Sequence, residues 1–189
     1  MNFEEMRAKL QRELKSSRYD HSYRVYEMAM EMASWYHLPT EKLAVAALLH
    51  DCGRKVDVEN SVAQASAWGL VVDDVERRQP ILLHQKLGAY LAKQEYGVED
   101  KEILEAIATH TSGGKGMSKM AQVVYLADMI EPGRTYAGIE ELRNVARKDL
   151  RLGMIQCYAH TMNYLLQQGL LIHPKCIEGY NELLLQGDK

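Results

Sequence analysis

Ala44-Val45-Ala46-Ala47-Leu48-Leu49-His50-Asp51 is the stretch that decides the fold. An uninterrupted apolar run places a helix in the interior, and its closing end carries a histidine and an aspartate side by side. Two such groups are expensive to take out of water unless something compensates them, and a metal ion is the most economical compensation. Neighbouring helical residues point about 100° apart, so the pair shares one ion only at a helix end, or where the carboxylate bridges two ions. Further ligands are therefore expected elsewhere in the chain.

On the N-terminal side, Thr40 is expected to cap this helix, with Glu41 in its first turn. The helix before it carries His21, Val25, Met28, Ala29 and Met32 on one face, with Asp20 as the expected cap. Phe3, Met6, Leu10 and Leu14 recur at helical spacing in a first amphipathic helix expected to end near Ser16-Ser17. On the C-terminal side, Gly53 is expected to end the His50-Asp51 helix. Short helical patches follow over Val62 to Trp68 and Asp73 to Arg77, joined at Gly69. Pro80 begins a helix with a Leu83, Leu87, Leu91 stripe and His84 beside it, closed by Gly97.

Ile103, Ile107 and His110 continue the pattern over Glu99 to His110, and Met117, Met120, Val124 and Asp128 resume it beyond a loop with three glycines. Glu131-Pro132-Gly133-Arg134 breaks that helix. The remaining helices run near Gly138 to Lys148, from about Leu150 to Gln168, and after Pro174. No stretch alternates with period two, and no repeat or linker interrupts the chain, so the fold is expected to be all-α and to form a single domain over 1–189.

The bulk numbers narrow the function classes. A formal net charge of −3 gives no general field for a nucleic-acid backbone, so no nucleic-acid partner is expected. Cys52, Cys157 and Cys176 are scattered without a CxxC pair, which argues against a disulfide framework and points to a reducing, cytoplasmic setting. No uncharged run approaches the ~20 residues of a membrane span, and the start has no basic region followed by an apolar stretch. Neither secretion nor membrane insertion is expected. Spare amphipathic surface on the first and last helices offers a place for homodimer formation, or simply closes the core.

Collecting the polar residues that interrupt apolar helical faces gives His21, His50, Asp51, His84, His110 and Asp128. Four imidazoles and two carboxylates without a thiolate suit iron, manganese, nickel or zinc better than calcium. Burying six titratable groups without a shared cation would cost several kcal/mol apiece, so the set reads as a metal site rather than as separate core residues. His37 and His173 read as helix caps, His160 lies beyond the pattern, and Cys52 reads as a small apolar core residue.

His21, the His50-Asp51 doublet and Asp128 resemble the H…HD…D signature of the HD-domain metal-dependent phosphohydrolases. His84 and His110 match the two extra histidines of the branch that binds two metals. More narrowly, Arg18-Tyr19-Asp20-His21-Ser22, Leu82-Leu83-His84-Gln85-Lys86-Leu87-Gly88-Ala89, His110-Thr111-Ser112-Gly113, Ala127-Asp128-Met129-Ile130-Glu131-Pro132-Gly133-Arg134 and Leu171-Ile172-His173-Pro174 resemble the YqeK family of symmetrical diadenosine tetraphosphate hydrolases. The resemblance spans roughly 18 to 185 and implies an HD-domain helical bundle, with a metal-site signature over 18–134 completed by helices over 138–187.

The resemblance also implies roles. His21, His50, Asp51 and Asp128 hold one metal, and Asp51 bridges to a second held by His84 and His110, which makes Asp51, His84 and His110 the expected catalytic group. Two divalent or transition metals are implied, iron first, with manganese, nickel, zinc or magnesium as alternatives. A water between two such ions loses a proton readily and attacks phosphorus in line, splitting diadenosine tetraphosphate into two ADP. Another HD-type nucleotide phosphatase or phosphodiesterase, a di-iron oxygenase and a non-catalytic nucleotide-binding module are the rival readings.

Arg18, Arg54, Lys55 and Arg134 flank the ligands and are expected to meet phosphate, whereas Lys115 alone reads as a solvated charge. Arg54 stands where HD proteins often carry lysine, and either it or Lys55 reaches the substrate. The loop from Thr111 through Ser112 and Gly113 to Gly116 is expected to offer backbone N–H groups to an anion.

Overall fold

The computed structural model describes residues 1–187; Asp188 and Lys189, the end of the expected single unit, lie outside the described residues. The described helices are α1 (Phe3–Glu13), α2 (Ser16–Tyr36), α3 (Thr40–Leu49), α4 (Val58–Ala67), α5 (Asp74–Arg78), α6 (His84–Tyr96), α7 (Lys101–Thr109), α8 (Lys119–Ile130), α9 (Ile139–Lys148), α10 (Leu150–Gln167) and α11 (Pro174–Leu185). Short 3-10 turns cover Cys52–Lys55 and Pro80–Leu83. No strand occurs among the described residues, as the missing period-two alternation predicts.

α8 is the axis of the bundle. Met120, Ala121, Val123 to Ala127 and Ile130 are all buried, because α2, α3, α7, α9 and α10 surround it. α3 is equally apolar at its end: Ala46, Ala47, Leu48 and Leu49 have no exposure. A helix covered on most sides reads as a near-continuous apolar run. The principal core extends from Met6 in α1 to Leu183 in α11, so the late helices pack into the same interior as the metal-site signature. None of the described helices is long and apolar enough to cross a membrane.

Several boundaries differ from the sequence reading; α4 begins at Val58 rather than Val62, and Pro80 opens a 3-10 turn ahead of α6 at His84. Ser16-Ser17 opens α2 instead of ending α1, and Asp20 lies inside the helix without capping it, because Leu14 leaves α1 in an extended conformation to stay buried. Thr40 is the first helical residue, with Pro39 in the cap position. Gly53 does not end α3, which stops at Leu49; His50 and Asp51 follow and the chain tightens into the Cys52–Lys55 turn. What Gly53 provides is proximity. A β-carbon there would lie 2.0 Å from the His84 carbonyl oxygen and 2.6 Å from the Gly88 nitrogen, so only hydrogen lets this turn press against α6.

Candidate metal centre

The six donors are brought together from α2, the end of α3, the start of α6, the end of α7 and α8. Three imidazoles are held in one way. Nδ1 of His50, His84 and His110 faces the carbonyl oxygen three residues earlier, at Ala47 (2.7 Å), Ile81 (2.5 Å) and Ile107 (2.8 Å). A carbonyl only accepts, so Nδ1 of each ring carries the proton and each Nε2 presents a lone pair inward. Nδ1 of His21 faces Glu131 Oε1 at 3.1 Å, which directs its Nε2 inward by the same logic. Metal-binding histidines are characteristically oriented through their other nitrogen in this way.

The inward lone pairs of His21 and His50 have no protein donor, whereas that of His84 has the Thr111 hydroxyl in reach. His84 Nε2 and His110 Nε2 lie 3.0 Å apart, and Thr111 Oγ1 is 3.0 Å from His84 Nε2. Nε2 of His21 and of His50 are buried with no hydrogen-bond partner. His21 Nε2 is 2.9 Å from Asp128 Oδ1 yet makes no hydrogen bond, so nitrogen and oxygen converge side by side as ligands of one ion do. Burial pushes His50 down to about 4 and His84 down to about 3, so both rings are neutral ligands at pH 7.

Asp51 stands between two pairs of rings. Its Oδ2 lies 3.7 Å from His50 Nε2 and 3.9 Å from His21 Nε2, while its Oδ1 lies 3.4 Å from His84 Nε2 and 3.5 Å from His110 Nε2. Each oxygen thus faces its own pair of rings, in the groups His21-His50-Asp51 and Asp51-His84-His110, and a third group of donors, His50-His110-Asp128, links the two sides. Burial works against the Asp51 charge, but His50, His110 and His84 outweigh it and hold the carboxyl well below the usual range. Asp128 is lowered likewise: burial opposes, and the His21 contact, His50 and Arg134 prevail. The donor set fits cations of the borderline kind, which neutral imidazoles and ionised carboxylates bind together.

Around the donors, the flanking cations separate into two groups. Arg18 Nη1 donates to Asp51 Oδ2 at 2.9 Å, Arg54 Nε donates to Asp51 Oδ1 at 3.2 Å, and Arg134 Nη2 donates to Asp128 Oδ1 at 2.5 Å. These three reach the centre. Lys55 does not: its ammonium donates to Glu95 at 2.5 Å and pairs with Glu13, because the tight turn after Asp51 sends consecutive side chains in different directions. Lys115 borders Glu178 and Glu182 on the far side of the loop.

The loop after α7 also differs from expectation. Gln85 Oε1 accepts the N–H groups of Thr111 (3.3 Å) and Ser112 (3.2 Å), and Gly113 N–H donates to Thr109. Gly114 N–H donates to the Tyr158 hydroxyl and Gly116 N–H to Glu182. The N–H groups of Thr111, Ser112 and Gly113 are therefore spent inside the protein and form no free nest for an anion. Gly113 is needed for room and conformation, with φ +64 and a β-carbon position only 2.0 Å from the Tyr158 hydroxyl. Thr111 keeps its hydroxyl at the centre.

Two supporting residues escaped sequence reasoning. Glu131 is 1% exposed and accepts from His21, from Arg24 Nε at 2.7 Å and from Gly133 N–H at 2.5 Å. Its position three residues after Asp128 was the available signal, since that spacing puts both on one helical face. Gln85 carried no such signal, because an amide beside His84 looks like any helix residue. The remaining histidines behave as the sequence implies: His37 caps α2, His173 caps α11, and His160 stacks on Tyr136.

An all-helical bundle with a carboxylate shared between two imidazole pairs and flanked by guanidinium groups has the donors that a two-metal phosphohydrolase requires. The comparisons with known proteins make this particular. Residues 18–133 match the HD domain family. The symmetrical bis(5'-nucleosyl)-tetraphosphatase of Bacillus subtilis (strain 168) is 35% identical, covering 97% of this chain and 98% of its own. That of Staphylococcus aureus (strain NCTC 8325 / PS 47) is 32% identical over 96% of this chain and 94% of its own. The crystal structure of a protein from Clostridium acetobutylicum described as a predicted HD superfamily hydrolase involved in NAD metabolism superposes with a TM-score of 0.94, at 33% identity and 98% coverage of both chains. The chain belongs to the HD domain family, and within it to the group of these symmetrical tetraphosphatases.

Proposed function

We propose that the protein is a metal-dependent hydrolase that cleaves diadenosine tetraphosphate, and related dinucleoside polyphosphates, symmetrically into two nucleoside diphosphates. The observation that carries this reading is Asp51, whose two carboxylate oxygens each face their own pair of imidazoles. When bound, two metal ions supply an acidified water as nucleophile and neutralise charge at the phosphoryl oxygens.

The chain's own residues do the rest. His21, His50, Asp51 and Asp128 hold one ion, and Asp51, His84 and His110 the other, with iron the first candidate and manganese, nickel, zinc or magnesium the alternatives. Arg18 and Arg134, each more than a third exposed, stand at the open edge beside opposite carboxylates, so a polyphosphate lying across the centre meets a cation on either side. Arg54 offers a third, and the Thr111 hydroxyl beside His84 a neutral donor. The bond broken is the one between the β-phosphorus and the bridging oxygen; the oxygen leaves with one ADP and water completes the other.

The shared core from Met6 to Leu183 supports one functional unit over the chain. Ile177, Leu184 and Leu185 on α11 are exposed, which supports a homodimeric contact through the last helix. Three buried free cysteines support a reducing cytoplasmic setting.

The test is chromatography of the products formed from diadenosine tetraphosphate in ¹⁸O-labelled water, after metal analysis of anaerobically purified protein. Two metals per chain, ADP as sole product and loss of turnover with chelator are expected. AMP with ATP overturns the symmetrical cleavage, and bound metal without ADP overturns the substrate.

A further inference from the structure

A cavity of about 180 Å³ opens beside the metal centre, between the Cys52–Lys55 turn, the start of α4 and the Pro80–Leu83 turn. His84, a donor of the centre, forms one wall, and Arg54 and Lys15 supply cations. Larger hollows at Lys115 near α11, at Trp68, at Tyr19 and at His160 border none of the six donors. We propose that this cavity is the subsite for the phosphate next to the scissile pair on one arm of the substrate, with Lys15 its anchoring cation. The assignment rests on the polyphosphate reading above and adds to it which residues hold one arm.

Size is the first argument. The cavity is smaller than the roughly 300–1,000 Å³ of sites that enclose a whole drug-sized ligand, so it takes a phosphate and part of a ribose, not a nucleoside. Symmetrical cleavage leaves one further phosphate on each arm beyond the scissile pair, and this cavity, with His84 in its wall, has room for one.

Charge is the second. Lys15 has no ion pair or side-chain hydrogen bond among the described residues. It occupies the cap position before α2, whose first turn contains no acid, so its charge stands against the helix dipole where an anion would be favoured. Arg54 gives its Nε to Asp51 and leaves its outer guanidinium N–H groups without a protein partner among the described residues. Asp57 is the acid on the rim, and it also faces the neighbouring groove that holds Lys55. The Ser61 hydroxyl is turned to the Val58 and Pro80 carbonyls and serves as wall. On the other side of the centre Arg134 meets the second arm, so a symmetrical substrate is held by unlike groups at its two ends.

The experiment uses the metal-loaded protein with Lys15→Glu, Lys15→Ala and Lys15→Arg. A charged contact to phosphate is worth enough that Lys15→Glu should raise KM for diadenosine tetraphosphate by about tenfold or more, with kcat within about twofold and metal content unchanged. Calorimetric affinities for ADP and for inorganic pyrophosphate should weaken in parallel while that for adenosine does not change, and Lys15→Arg should restore most of the loss. Unaltered KM and ADP affinity in the Glu and Ala variants overturn the assignment, as does an equal loss for adenosine. If the wild-type protein releases no ADP from the tetraphosphate, the hydrolase reading fails, and the ADP and pyrophosphate titrations still decide the cavity.

Discussion

Replacing Gly53 by alanine should dismantle the metal centre without touching any donor. The α-carbon of Gly53 sits where the turn after Asp51 meets the first turn of α6, and an added β-carbon would lie 2.0 Å from the His84 carbonyl oxygen and 2.6 Å from the Gly88 nitrogen. Ordinary contact begins at about 3.4 Å, so the two segments must part by about 1.4 Å along the first of these directions. Both obstacles are backbone, and no side chain can swing away to absorb the strain. Overpacking costs typically 1–3 kcal/mol, and a clash against backbone on both sides belongs at about 3 kcal/mol. For a chain of this size that lowers Tm by about 6–12 °C. The consequence for the centre is larger, because Asp51 precedes Gly53 by two residues while His84 begins the displaced helix. The 3.4 Å between Asp51 Oδ1 and His84 Nε2 would open by a large part of the displacement, whereas metal sites tolerate about 0.2 Å in their ligand distances. Thermal denaturation followed by circular dichroism, with metal content measured on the same sample, checks both effects. A variant that melts within about 2 °C of the parent and retains two metals would refute the close-approach argument.

Glu131→Gln should weaken metal binding by about 10- to 100-fold, because the carboxylate that orients His21 through Nδ1 becomes a neutral amide; competition against a graded chelator measures this, and undiminished affinity would remove Glu131 from the centre. Arg54→Ala should raise KM for the tetraphosphate about tenfold while Lys55→Ala leaves it unchanged, since only Arg54 faces Asp51; the reverse order would mean that the turn presents the other side chain to substrate. Arg134→Ala should raise KM or lower kcat without loss of metal, and unaltered kinetics would exclude it from substrate binding. The metal-free protein should lose stability on acidification from pH 6.5. Unfolded His50 and His84 take up protons near 6.5, whereas the folded rings do so only near 4 and 3, so in that window the unfolded state binds more protons and acid favours it. Asp51 and Asp128, held low in the folded state, lose their stabilising charge only at still lower pH. Urea midpoints with chelator from about pH 7.5 to about pH 4.5 test this, and a flat profile would mean that the rings are not held neutral.

The helices and the six donors were legible because each is written in local periodicity. Apolar residues at three- and four-residue spacing mark the faces that must be buried, and a histidine or aspartate that continues such a face is buried with it. His21, His110 and Asp128 were found in this way, and His50-Asp51 by its place at the end of an apolar run. The errors at Ser16-Ser17 and Gly53 have a common cause. A serine pair can start or stop a helix, and a glycine can end a helix or permit a close approach; the choice depends on what lies opposite.

The sequence by itself determined an all-α chain, an interior cluster of four imidazoles and two carboxylates able to hold metal, and a set of nearby cations, since burial follows from spacing along one element. Only the tertiary structure decided that Arg54 faces the centre and Lys55 does not, that Gln85 consumes the loop N–H groups, and that Glu131 at the C-terminal cap of α8 buttresses His21 in α2 across 110 residues of chain. The physical reason is that a side chain's partner across an interface depends on how two helices are rotated and set against each other. That is a property of the packed core as a whole and has no local period in the sequence.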